Sequence, residues 1–246
     1  MSTLIPKSAD PTELESISNW RPITVGSVIL CLYSRILTLR LAAACPLSPR
    51  QKGFTRYSGC SENLMLLEGL IQRSRICRVT LAQVSIDFAK AFDTVTHEHI
   101  LGVLERKGLD QHVRGLIRDS YVNCVTRVKV GNNHSSRIDM KVGVKQGDPM
   151  FNLALDPLIL TLESRGEGYA WNGQSVTTIA FADDLVMVSC SWEDMAKNIA
   201  ILETFCQLKG SACNPKGVLD SCSPRAHTRT LRTTANLGRS AERHCV

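Results

Sequence analysis

The stretch Thr178-Ile-Ala-Phe-Ala-Asp-Asp-Leu-Val-Met-Val188 sets two adjacent carboxylates, Asp183 and Asp184, between two apolar runs. Ile179 and Phe181 before the pair, and Leu185, Val186, Met187 and Val188 after it, are the β-branched and large apolar residues that pack in a half-buried sheet. The pattern predicts a strand, a tight turn and a returning strand. Two neighbouring Asp are costly in such a place, because like charges at short range repel and desolvation penalises both. They are tolerable at a turn tip or with a cation between them. A divalent metal is the natural occupant, and a plain surface β-turn is the alternative, since Asp is a favoured turn residue.

A second strand-like run, Leu81-Ala-Gln-Val-Ser-Ile86, delivers Asp87, and Phe88-Ala-Lys-Ala-Phe-Asp93 then leaves the strand. Two such strands laid side by side aim three oxygen donors at one spot. That is the donor set of a two-metal phosphoryl-transfer site, where hard oxygen ligands hold ions about 3.5–4 Å apart.

Phe181-Ala-Asp-Asp184, Asp87 followed by Ala91-Phe92-Asp93, and Gly143-Val-Lys-Gln-Gly-Asp-Pro149 between them resemble, in that order, the catalytic motifs of reverse transcriptases. Leu4-Ile-Pro-Lys7, Asn19-Trp-Arg-Pro-Ile23 and Gln51-Lys-Gly-Phe54 are similar to the fingers motifs of the non-LTR, LINE-like retrotransposons, especially the site-specific class that inserts into ribosomal genes. The likeness runs roughly from Thr3 to Val218.

The resemblance implies an α+β chain folded as the fingers and palm of a right-hand polymerase, with an antiparallel palm sheet. Residues 1–80 would be the fingers portion and 81–219 the palm portion. Residues 220–246 would be a basic, disordered tail, with the thumb missing. By the same resemblance Asp87, Asp183 and Asp184 hold two Mg²⁺ ions, and Lys7 and Arg21 meet an incoming triphosphate. Phe92 lies under the sugar, Gln146 and Gly147 flank the nucleotide and template base, and Lys216 of Asn214-Pro-Lys216 donates a proton to the leaving pyrophosphate. Asp93 and Asp148 take hydrogen-bonding rather than metal roles. The implied substrates are an RNA template, a DNA primer and deoxynucleotides. In most relatives about four more residues stand between Pro149 and the Phe-Asn seen here as Phe151-Asn152, about one helical turn. A second reading therefore stays open, a truncated and inactive retroelement remnant that at most binds nucleic acid.

The chain of 246 residues carries a net charge of +6. Five arginines (225, 229, 232, 239 and 243) against Glu242 alone follow Asp220, so only about +2 belongs to the rest, weak support for nucleic-acid binding by the main domain. The ten cysteines have no Cys-x-x-Cys pair and are expected to be reduced thiols. Cys213, Cys222, His227, His244 and Cys245 match no common zinc spacing. Ile5-Pro6-Lys7 interrupts any leader-like run, and Arg35 and Arg40 interrupt the apolar segment Val28 to Cys45. An intracellular protein, nuclear or cytoplasmic, with a buried amphipathic helix rather than a membrane span is expected.

Periodicity fills in the rest. Short extended pieces are expected around Pro6, Pro11 and Pro22, then a helix with Val28, Leu32, Ile36 and Leu39 on its packed face. A second helix is expected to be capped by Ser61, with Leu64, Leu67 and Ile71 on one side. One helix carrying Val95, Ile100, Leu101 and Leu104 should close at Arg106-Lys-Gly108, and another should follow Asp110. His97, His99 and His112 fall in these helices without triad logic. Thr126 to Val130 and Ile138 to Val142 alternate as a two-faced hairpin. Pro149 can start a helix, and Ser191 with Asp194 starts another in capping-box fashion.

Overall fold

A computed structural model of the chain describes residues 2–10, 12–54, 58–88, 90–122, 124–130, 133–144, 150–209 and 213–220, with the backbone alone at Ser18, Leu30, Val130, Lys209 and 213–220. The chain begins with β1 (Ser2–Pro6), two 3-10 turns, and β2 (Trp20–Thr24), followed by helices α1 (Val28–Ala44) and α2 (Gly59–Cys77). Next come β3 (Ala82–Phe88), α3 (Ala91–Thr94), α4 (His97–Arg106), α5 (Gln111–Tyr121) and the short strands β4 (Val125–Thr126), β5 (Val128–Val130), β6 (Asn133–His134) and β7 (Ile138–Asp139). Helix α6 (Met150–Arg165), β8 (Tyr169–Trp171), β9 (Gln174–Val176), β10 (Thr178–Phe181), β11 (Asp184–Ser189), α7 (Trp192–Lys209) and β12 (Cys213–Asp220) complete it. The architecture is α+β with mainly antiparallel sheets, as the resemblance implies.

The main sheet has the order β10-β11-β3-β12, all antiparallel. Alternation along β3 and β11 gives it two faces. Ala82, Val84, Ile86, Leu185 and Met187 point into the larger core with α4, α6 and α7. Ile179, Val186 and Val188 belong to a smaller cluster with Leu70 of α2 and with Tyr169 and Val176 of the β8–β9 hairpin. A second sheet, β2-β1-β5-β6, joins the start of the chain to its middle, since Ser2 and Thr3 pair in parallel with Val128 and Lys129.

Helix α6 carries a polar stripe within an otherwise apolar surface. Asn152, Asp156 and Glu163 are spaced by four and seven residues, so they share one face. All three grip the segment that follows α1. Asn152 Nδ2 donates to the Gly53 carbonyl at 2.8 Å, Asp156 Oδ1 accepts from the Ser48 N–H at 2.7 Å, and Glu163 Oε2 accepts from Arg50 Nε at 3.0 Å. Glu163 Oε1 also accepts from the N–H groups of Thr177 and Thr178 at 3.1 and 2.7 Å, which fixes the start of β10. Asp156 is fully buried, and Lys107 Nζ lies 2.7 Å from its other oxygen.

Several expectations need correction. The apolar stripe of α1 faces outward: Val28, Leu32, Ile36 and Leu39 are 84, 59, 46 and 46 % exposed, whereas Leu37 and Leu41 pack inward. The helix is apolar nearly all round, so the spacing of its large residues could not reveal which side packs. Among the described residues no helix is long and apolar enough to cross a membrane. Helix α2 begins at Gly59, not after a Ser61 cap, and ends on Arg78 at φ 53°. The single helix expected through Val95 is two, because Val95 is extended and the Thr96 hydroxyl caps a new start by accepting from the His99 N–H. The hairpin of residues 124–142 splits into two ladders, β4 with β7 and β5 with β6. Cys206 is in a disulfide, while Cys31, Cys45, Cys60, Cys77, Cys124 and Cys190 are free thiols. Helix α5 after Asp110, α6 after Pro149 and the Ser191–Asp194 start of α7 are found as expected.

Removing one partner of a buried ion pair strands the other. Lys107→Met should therefore destabilise the fold by about 3–5 kcal/mol in urea titrations. Lys107→Met combined with Asp156→Asn, which keeps an acceptor for the Ser48 N–H, should recover most of that loss. Equal losses in the single and double variants would show that the ion pair is not the cause.

Candidate active site

Backbone register places the carboxylates. Asp184 opens β11 directly opposite Asp87 on β3, and Asn214 of β12 stands opposite Asp87 on its other side. Because Val84 and Ile86 point into the larger core, Asp87 lies on the other face of the sheet, with the half-buried Ser85. Like charges directly opposite in a ladder are destabilising. Asp183, in the turn before Asp184, feels this. Burial pushes its carboxyl above the ordinary range, a hydrogen bond from its own backbone pulls the other way, and the negative charges of Asp184 and Asp87 add to the rise.

The turn that carries the pair is strained and held. Ala182 adopts φ 54°, a left-handed conformation that costs a non-glycine residue about 1–2 kcal/mol. Gln51 reaches it from outside the sheet. Its Oε1 accepts from the Ala182 N–H at 2.8 Å and from the Gly53 N–H at 2.9 Å, and its Nε2 donates to the Ala182 carbonyl at 3.1 Å. At about 0.5–1.5 kcal/mol each, three buried hydrogen bonds are enough to offset the strain. The neighbouring backbone is tied as well. The Lys52 N–H donates to the Ala180 carbonyl at 2.9 Å, the Ala180 N–H donates to the Arg50 carbonyl at 3.2 Å, and Asn63 Nδ2 adds a 3.0 Å bond to the Ala180 carbonyl. A Cβ on Gly53 would overlap the backbone nitrogen and Cα of Ala182, so only glycine allows this approach.

Phe92 lies beside this segment. Its ring packs on Phe151 with centroids 4.6 Å apart and meets Phe54 edge-on at 6.4 Å. The Val144 N–H donates to the Phe92 carbonyl at 2.8 Å, and Gly143, at φ 94°, lies against the backbone of Phe92 and Asp93. The motif starting at Gly143 is thus docked on the Phe92 turn, while Gln146, Gly147 and Asp148 lie outside the described residues. Arg21 on β2 and Lys7 just past the end of β1 are exposed, by a different sheet from that of the carboxylates. Lys216 pairs through its backbone with Ser85 beside a bulge, and its side chain lies outside the described atoms. His97 and His99 have structural partners, the Gly143 carbonyl at 3.0 Å and the Ala154 carbonyl at 2.8 Å.

Asp87, Asp183 and Asp184 fit a hard divalent cation by donor chemistry, and after burial the charges of Asp184 and Asp87 add to the rise at Asp183, a contribution that a cation would relieve. Among the described residues no three His, Cys, Asp or Glu side chains close into a cage. Mg²⁺ does not need one, since one or two carboxylates complemented by water and substrate phosphates are its usual set.

Residues 5–217 match the family model described as Reverse transcriptase (RNA-dependent DNA polymerase). The chain belongs to the reverse transcriptase family. It is 40 % identical over 221 residues to a retrovirus-related Pol polyprotein from type-1 retrotransposable element R2 of Popillia japonica, covering 87 % of this chain and 31 % of that protein. The counterpart from Nasonia vitripennis is 32 % identical over 219 residues, with 87 % and 21 % covered. The type-2 element R2DM polyprotein of Drosophila melanogaster is 33 % identical over 178 residues, with 69 % and 16 % covered. This reverse transcriptase chain thus spans less than a third of the length of these relatives. Among solved structures, apo telomerase from Candida tropicalis truncated from its C-terminal domain aligns at a TM-score of 0.49 and 12 % identity, over 76 % of this chain and 38 % of that one.

The sequence marks the carboxylates and Phe92 but not the roles of Gln51, Gly53 and Asn152. Gln51 stands 131 residues from the turn it holds. The available signal was the Gln-x-Gly spacing of Gln51-Lys-Gly53, which marks a close backbone approach without saying to what.

A carboxyl whose folded-state pKa is raised costs stability when ionised. That cost is present above the folded pKa and vanishes below the unfolded value of 3.8. Without divalent cations, Asp183→Asn should therefore raise the melting temperature at neutral pH, and the gain should fade as the pH drops through the carboxylate range. A gain that does not vary with pH would exclude this origin.

Proposed function

We propose that this chain is the fingers and palm portion of an RNA-directed DNA polymerase that extends a DNA primer on an RNA template using deoxynucleotides. The observation that carries it is the register of Asp184 opposite Asp87 in one sheet, with Asp183 in the adjoining turn. Residues 1–80 correspond in this reading to fingers and 81–219 to palm.

Asp87, Asp183 and Asp184 would hold two divalent ions. When bound, such ions lower the pKa of a primer 3′-hydroxyl and neutralise charge on the triphosphate. The carboxylates fix where the ions sit relative to the sheet, and the hydrogen-bonded turn keeps that arrangement from relaxing. Lys7 and Arg21 complement triphosphate charge, Arg21 through the planar fork that suits phosphate oxygens. Gln146 and Gly147 flank the nucleotide and template base, and Lys216 supplies a proton to pyrophosphate. Phe92, braced by Phe151 and Phe54, presents a bulky ring beneath the sugar and leaves no room for a 2′-hydroxyl.

Primer extension on an RNA template with Mg²⁺ and deoxynucleotides tests the proposal. Asp183→Asn with Asp184→Asn should lower the rate about a thousandfold or more, because several kcal/mol of charge stabilisation disappear. No extension by a folded wild type would favour the inactive-remnant reading. In an active enzyme, Phe92→Ala should raise ribonucleotide incorporation by about tenfold or more, the scale on which a pocket discriminates by size. Unchanged sugar discrimination would remove Phe92 from that role.

A further inference from the structure

We propose that Gln51 is a positioning residue for the metal-binding carboxylates, acting through the backbone of Ala182. This rests on the divalent-metal reading of Asp87, Asp183 and Asp184.

The arrangement is specific. The Gln51 side chain is buried, and its carboxamide meets both the N–H and the carbonyl of the one residue that separates Phe181 from Asp183. A side chain that fixes both polar groups of Ala182 fixes the plane of both adjoining peptides, and therefore the direction in which the chain enters Asp183. The orientation of the carboxamide is set in turn. Its oxygen also accepts the Gly53 N–H, and the Gly53 carbonyl accepts Asn152 Nδ2 from the buried start of α6. The chain of contacts runs from the rigid core of α6 through Gly53 and Gln51 to the turn. Ladder pairing with β3 positions only Asp184, whereas Asp183 sits beyond the last β10–β11 pair, Phe181 with Asp184. Gln51 supplies the constraint that the sheet does not. Groups that orient metal ligands in this way typically change metal affinity or activity by about 10–100-fold when removed.

Mn²⁺ binding followed by electron paramagnetic resonance tests this without turnover, together with hydrogen exchange at residues 180–184. Gln51→Met keeps the size of the side chain and removes its hydrogen bonds. Gln51→Glu keeps the two acceptor contacts, loses the donor, and serves if the Met variant does not fold. Leu104→Ala, a core change in α4, is the control for general loss of stability. The expected result is Mn²⁺ affinity weakened about tenfold or more in Gln51→Met and less in Gln51→Glu, with faster exchange at the turn. Leu104→Ala should bind Mn²⁺ like the wild type. In an active enzyme Gln51→Met should lower kcat more than it raises KM for the deoxynucleotide. Wild-type affinity in a folded Gln51→Met variant, or equal weakening in Leu104→Ala, overturns the proposal. A wild type that binds Mn²⁺ no better than Asp183→Asn with Asp184→Asn overturns the metal reading itself, an outcome visible before any Gln51 variant is compared.

Discussion

Carboxylates that face each other across a β-ladder stay there only because something else holds the ladder together. Like charges directly opposite in a ladder destabilise it. Against this, each fully buried aliphatic side chain contributes about 1.5–3 kcal/mol. Ala82, Val84, Ile86, Leu185 and Met187 all lie beneath the strands that bear Asp87 and Asp184. The core therefore keeps the two strands in register, and with them the opposition of Asp87 and Asp184. Burial first, and the charges of Asp184 and Asp87 after it, hold the carboxyl of Asp183 in the adjoining turn above its ordinary range.

Helix α6 carries this constraint outward. Its polar stripe of Asn152, Asp156 and Glu163 fastens residues 48–53, and that segment in turn fastens the carboxylate turn through Gln51. Glu163 reaches the same hairpin from its other end at Thr177 and Thr178. Both ends of β10 are thus referred to a single helix. The left-handed Ala182 and the glycine at position 53 are local concessions that make the close approach feasible.

What could be read from the chain divides along a physical line. The strand-turn-strand of residues 178–188, the strand leading to Asp87 and the capped starts of α5 and α7 were legible, because alternation and capping are encoded by neighbours in sequence. The packed side of α1 was not, since a helix apolar nearly all round has no face marked by contrast. Val95 illustrates a different failure. Its apolar character fits a continuous helix, but the Thr96 hydroxyl offers a competing cap that breaks the helix there. Asn152, Asp156 and Glu163 would pass for a solvated stripe on sequence alone, and only the fold shows that each faces a partner far away in the chain. The carboxylates were legible as a site for the opposite reason, because an adjacent pair of acids between strands is hard to explain otherwise.

The strand order has a consequence for how the protein is made. Strand β3 is central in its sheet, yet both of its neighbours, β11 and β12, are synthesised long after it. Its apolar residues must wait unpaired while α3 to α6 emerge, and β1 waits likewise for β5. Pairings of such high sequence separation are slow to form, because loop closure comes before any reward in contacts. Nascent chains that end before β11 carry β3 with both of its edges open, the state most open to misassociation. Timely protection of that edge during synthesis, more than the final stability of the sheet, would then govern how much folded protein a cell obtains.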